Sequence, residues 1–123
     1  MSILDWISKN TYATSIDAAE PELRPRVYRK PAPEVLAAVQ AAIGAIPRWA
    51  VVGINEKDGQ IHATRTTGLF RFVDDISISV LAANGNVTVN VYSKSRIGKG
   101  DFGQNRRNIL EFMKQLDARI KAE

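Results

Sequence analysis

Apolar positions along the chain change their period twice, and the changes divide it into elements. From Pro33 onward, Val35, Leu36, Val39, Ala42, Ile43 and Ile46 recur at the three- and four-residue spacing that places them on one side of a helix. Proline suits the first turn of such a helix, where its missing N–H costs nothing, and Pro47 ends the run. The period then falls to two. Trp49 to Asn55 is apolar and β-branched, Glu56-Lys57-Asp58-Gly59 has the chemistry of a turn, and Gln60 to Thr66 completes a predicted hairpin. A second hairpin is predicted from the stretch LFRFVDDISISV, beginning at Leu69, through a turn at Ala82 to Gly85, into Asn86 to Ser95, where Val87, Val89 and Val91 alternate with polar residues. The helical period returns at the end, where Ile109, Leu110, Phe112, Met113, Leu116 and Ile120 form a stripe behind a glycine-studded loop.

Residues 8–33 are polar and punctuated by Pro21, Pro25, Pro31 and Pro33, which predicts an extended arm over the surface rather than a helix. Each predicted strand is apolar on one face only, so the sheet needs a cover on one side, and the two amphipathic helices supply it. The expectation is a single α+β domain over residues 1–123, with an N-terminal arm (1–33) and an α-β-β-β-β-α core (34–120). That core is a two-layer sandwich: a four-stranded antiparallel sheet with two helices on one face. His62, Thr64, Ser77, Ser79, Thr88, Asn90 and Tyr92 then line the other face, which is left solvated, covered by the arm, or used in a homodimer.

Two adjacent acids, Asp74 and Asp75, interrupt the quoted stretch. Side chains alternate across a strand, so the two are predicted to point apart. With the turn at Ala82 to Gly85, Val80 pairs with Val87, Ile78 with Val89, Ile76 with Val91, and Asp74 with Ser93. Asp74 then shares the inner face with Phe70, Phe72, Ile76 and Ile78, and Asp75 shares the outer face with Ser77 and Ser79, diagonal to Lys94. A buried carboxylate needs a partner. The hydroxyls of Ser93 and Ser95 and an arginine from the start of the last helix, Arg106 or Arg107, are the expected ones. This favours a structural network over a catalytic dyad.

Charge and composition narrow the chemistry. At 123 residues the chain is of a size to bury about two-thirds of its unfolded surface in one core. It has no cysteine, hence no disulfide, no thiolate nucleophile and no cysteine metal site, which fits a cytoplasmic protein. No stretch approaches the roughly 20 apolar residues that span a bilayer, so no transmembrane segment is expected. The start lacks the basic and long apolar regions of a secretory signal, and Ile3, Leu4, Trp6 and Ile7 form one amphipathic turn, read as a short helix docked on its own domain ahead of the alternative, a membrane-surface or partner foot. The net charge of +4 permits an acidic partner, but basic residues occur in small sets without stacking aromatics or a groove-reading motif, so no nucleic-acid partner is expected. His62 is the only histidine, with no serine elbow or metal-spaced pair beside it, so no metal and no cofactor are implied. Asp101-Phe102-Gly103 matches the kinase metal-binding tripeptide, but the rest of the kinase signature is missing and the chain is far too short.

The loop from Ser93 to Arg107 holds three glycines and leads into a helix N-terminus, and with Arg96, Lys99 and Arg106 it has the makings of an anion site. The simpler reading is Asp101 as N-cap with Gln104 completing a capping box. "FRFVDD", followed after a hairpin by "SKSRIGKGDFGQNRR", closely resembles the signature of the bacterial domain-of-unknown-function 1499 family, and "YATS" and "AEPELRP" resemble the segment before its first helix. The resemblance spans roughly residues 12–116. It implies this fold and no particular reaction, and it marks Phe70, Asp74, Asp75, Ser95, Arg96, Gly98, Asp101, Gly103, Asn105 and Arg106 as motif positions. Many members carry a hydrophobic N-terminal segment or an early cysteine; this chain has neither, which points to a soluble stand-alone form. The functional expectation is a non-enzymatic binding or protein-interaction module, with an enzyme using Asp74 or Asp75 with Arg96 and Arg106 as the alternative.

Overall fold

The computed structural model of the chain describes residues 11–66, 71–96 and 103–122. Strand β1 (Thr11–Ala13) is followed by a short 3-10 turn (Pro21–Leu23) and strand β2 (Arg26–Tyr28). Helix α1 (Ala32–Gly44) comes next, then strands β3 (Trp49–Asn55), β4 (Gln60–Thr66), β5 (Val73–Ala83) and β6 (Asn86–Ser95), and helix α2 (Gln104–Asp117). All strand pairs are antiparallel, and β3 to β6 form the expected meander with both helices packed on one face. The fold class is the one the alternating pattern predicts; the strand count is not. The sheet has six strands, because β1 and β2 both pair with the outer edge of β6, β1 along residues 92–94 and β2 along residues 87–89. Between them Thr14 closes the gap: its amide donates to the Val91 carbonyl at 2.9 Å, and its Oγ1 accepts from the Val91 amide at 3.1 Å.

The arm therefore belongs to the fold rather than lying over it. Leu23 and Tyr28 are fully buried in the core, beside Val35, Val39 and Ile43 of α1 and Ile109, Phe112, Met113 and Leu116 of α2. Three-residue strands among prolines carry too few positions for a period, so the pattern could not announce them. The proposed N-terminal turn at Leu4 and Ile7 lies outside the described residues.

The β5–β6 register corrects the expected one by two residues. Asn84 and Gly85 both adopt positive φ, 55° and 81°, so they alone form the turn and Ala83 pairs with Asn86. An Asn-Gly pair tolerates this conformation at both positions, whereas a wider turn would splay the twisted strands. Val80 consequently faces Val89, Ile78 faces Val91, Ile76 faces Ser93 and Asp74 faces Ser95. A shift of two keeps every side chain on its expected face. Phe72 departs from expectation differently: Arg71 takes a left-handed φ of 56°, the strand starts only at Val73, and Phe72 is 43% exposed instead of joining the inner face.

Candidate functional site

The two aspartates stand on opposite faces of β5. Asp74 is only 3% exposed, in line with the buried Ile76, Ile78 and Val80, while Asp75 is partly exposed with Ser77 and Ser79. The arginine expected beside Asp74 is not its partner. Asn108 of α2 donates from Nδ2 to Asp74 at 2.8 Å, and the same Nδ2 lies 3.2 Å from Ser93 Oγ. Ser93 Oγ donates in turn to Asn105 Oδ1 at 2.6 Å, and Asn105 Nδ2 reaches Ser95 Oγ at 3.0 Å. This Asp-Asn-Ser-Asn-Ser chain fastens the first turns of α2 to the ends of β5 and β6, and Asp74, Ser93, Asn105 and Asn108 are all buried.

Both helix arginines are engaged elsewhere. Arg106 pairs with Glu20 of the arm, and Arg107 donates to Gln104 at 3.0 Å. Glu20 keeps the Arg106 guanidinium protonated even more firmly than usual, chiefly through their hydrogen bond. On the outer face Lys94 sits directly across from Asp75, but Arg96 takes the carboxylate, in a bidentate fork of 2.8 and 2.9 Å. That hydrogen-bonded guanidinium holds the Asp75 carboxyl below the usual carboxylate range, with Lys94 adding to the effect. A second fork, from Arg26 to Asp117 at 2.9 and 3.0 Å, ties β2 to the end of α2.

Of the motif positions, Asp74, Ser95 and Asn105 thus meet in one network, and Asp75 and Arg96 form a separate pair on the other face. Arg106 turns to the arm. Gly103 adopts φ 89° at the N-cap of α2, where no side chain among the described residues caps the helix. Phe70, Gly98 and Asp101, and with Asp101 the expected capping box, lie outside the described residues.

Sequence reasoning overlooked Asn108, Arg65 and Trp49. Register places Trp49, Arg65, Asp74 and Ser95 side by side on β3, β4, β5 and β6, so all four share the helix-covered face at one end of the sheet. Trp49 is buried and stacked on Phe112, with ring centroids 6.1 Å apart and planes 10° from parallel. Its Nε1 and the Nη1 of Arg65 are buried donors without an acceptor among the described residues. The phenol of Tyr28 is likewise buried without a partner among the described residues, and burial pushes it up to about 12.

Two concavities lie elsewhere. One of about 360 Å³ runs between α1 and the β3–β4 turn, lined by Leu36, Gln40, Glu56 and Val80 among others; another of about 190 Å³ lies on the polar face, beside Ser77, Asn90 and Tyr92. Among the described residues no group of His, Cys, Asp and Glu side chains could hold a metal ion, and no helix is long and apolar enough to cross a membrane.

Comparison with known proteins adds a family. The model of the family described as "Protein of unknown function (DUF1499)" matches residues 4–116. No curated protein matches the chain. Among solved structures, the crystal structure of TTHA0849 from Thermus thermophilus is similar at a TM-score of 0.40 and 11% sequence identity, over 77% of this chain and 92% of that one.

Proposed function

We propose that this chain, which belongs to the DUF1499 family of proteins of unknown function, is a non-enzymatic binding domain that takes an anionic group. The group sits at the end of the sheet where β6 leaves for the loop before α2. The observation that carries the reading is a surplus of donors. In the row Trp49, Arg65, Asp74, Ser95, the Asp74 carboxylate is engaged by Asn108, while Trp49 Nε1 and Arg65 Nη1 have no acceptor among the described residues. A buried N–H without an acceptor costs about 1 to 3 kcal/mol. A ligand oxygen would remove that cost, and a charged oxygen meeting a guanidinium in a dry site makes a strong hydrogen bond. Proton transfer finds less support: Asp74 and Asp75 face apart, Asp75 is already forked by Arg96, and Arg106 is paired with Glu20.

The indole N–H resonance of Trp49 tests this directly. Titration with inorganic phosphate and, separately, with acetate to millimolar concentration is expected to move it saturably in at least one case, and Arg65→Met is expected to abolish the response. An indole signal indifferent to both anions removes the proposal.

A further inference from the structure

We infer that β3 is a dimerisation strand, pairing antiparallel with β3 of a second copy so that two sheets become one. This stands independently of the donor row above. The two margins of the sheet are treated differently. The β6 margin is covered by the chain's own β1 and β2, whereas β3 ends the sheet with no strand beside it among the described residues. Such an edge is ordinarily blunted by lysine, proline or shortness. From Trp49 to Asn55 β3 carries no charge and no proline over seven residues. Its apolar side chains are also unusually open: Val51, Val52 and Ile54 are 40%, 63% and 42% exposed. Its blunting device is a bulge: register with β4 jumps between Val51 and Gly53, which leaves Val52 without a partner on β4.

Charge chooses a second copy as the occupant. Arg48 and Glu56 flank the strand, each four residues from Val52. Both are exposed, and neither has a side-chain ion pair among the described residues. A two-fold axis at Val52 sets the two Val52 side chains against each other and brings Arg48 of each copy opposite Glu56 of the other. The interface is thus apolar at its centre and oppositely charged at both ends, the self-complementarity an isologous dimer requires. An unrelated extended peptide would satisfy the backbone equally but has no reason to carry this charge order.

The oligomeric state, measured by sedimentation equilibrium on the full chain, tests the inference. The wild-type protein is expected to dimerise. Val52→Lys, which opposes two ammonium groups at the axis, is expected to give a monomer with an unchanged circular dichroism spectrum. Arg48→Glu and Glu56→Arg, each of which makes both flanking contacts repulsive, are each expected to weaken dimerisation about tenfold or more. Mixing these two variants restores opposite charges at both contacts and is expected to give a heterodimer. A wild-type chain that stays monomeric overturns the inference, as does a dimer indifferent to Val52→Lys or one that the charge-reversed mixture fails to restore.

Discussion

Asn108 ties two buried groups together, since its one amide nitrogen serves both the Asp74 carboxylate and the Ser93 hydroxyl. Asn108→Ala leaves a buried carboxylate without its hydrogen-bond donor and is expected to destabilise the fold by about 2 to 3 kcal/mol, read as a lowered urea midpoint. Asp74→Asn keeps an acceptor oxygen for Asn108 and is expected to cost less. Tyr28 presents the opposite case, a buried hydroxyl with nothing to bond among the described residues. Tyr28→Phe removes that group without opening a cavity and is expected to be neutral or to stabilise by up to about 1 kcal/mol. Its pH dependence has a definite sign. The phenol's folded pKa of about 12 lies above the ordinary 10, so the neutral form is favoured by folding. The associated stability is intact below pH 10 and is lost as pH rises toward about 12. Urea midpoints across that window are expected to fall less steeply for Tyr28→Phe than for the wild type.

The β3–β4 hairpin is anchored to the sheet by its turn. Gly59 has φ 66°, its carbonyl accepts from the Val80 amide at 2.7 Å, and a Cβ placed there would lie 2.1 Å from the Val80 carbonyl oxygen. Backbone on both sides leaves no room to yield, so Gly59→Ala is expected to cost about 2 kcal/mol or more through strain and a displaced turn, again measured by urea. At this scale the strands were legible, because burial on one face writes a period of two into Ile76, Ile78 and Val80 and into Val87, Val89 and Val91. Register was less so, since it hung on recognising that Asn84-Gly85 closes a two-residue turn. In the site, Asn105 and Asn108 continue the helical spacing of Ile109, Phe112, Met113 and Leu116. Their burial was therefore inscribed in the pattern, although polar side chains on an apolar stripe are easily read as its end. The Trp49–Arg65–Asp74–Ser95 row depends on pairings between strands distant in sequence, which no local period reveals.

For the molecule as a whole, the arm is as much core as the helices are. Leu23 sits in the 3-10 turn between two three-residue strands, yet it is almost wholly buried against the same cluster as Tyr28 and Leu116. Leu23→Ala is expected to lower stability by about 2 to 4 kcal/mol, the cost of emptying a packed interior site. It is also expected to leave a single cooperative transition when tryptophan fluorescence and far-ultraviolet dichroism are followed together. Three forks and pairs, Arg26 with Asp117, Arg96 with Asp75 and Arg106 with Glu20, tie the periphery to this body from different sides. The covering of β6 by β1, Thr14 and β2 has a last consequence, for assembly. The margin made by β1 and β2 offers a neighbour only two three-residue strands, against seven residues on β3, so a dimer joined through β3 is not expected to grow into a longer ribbon.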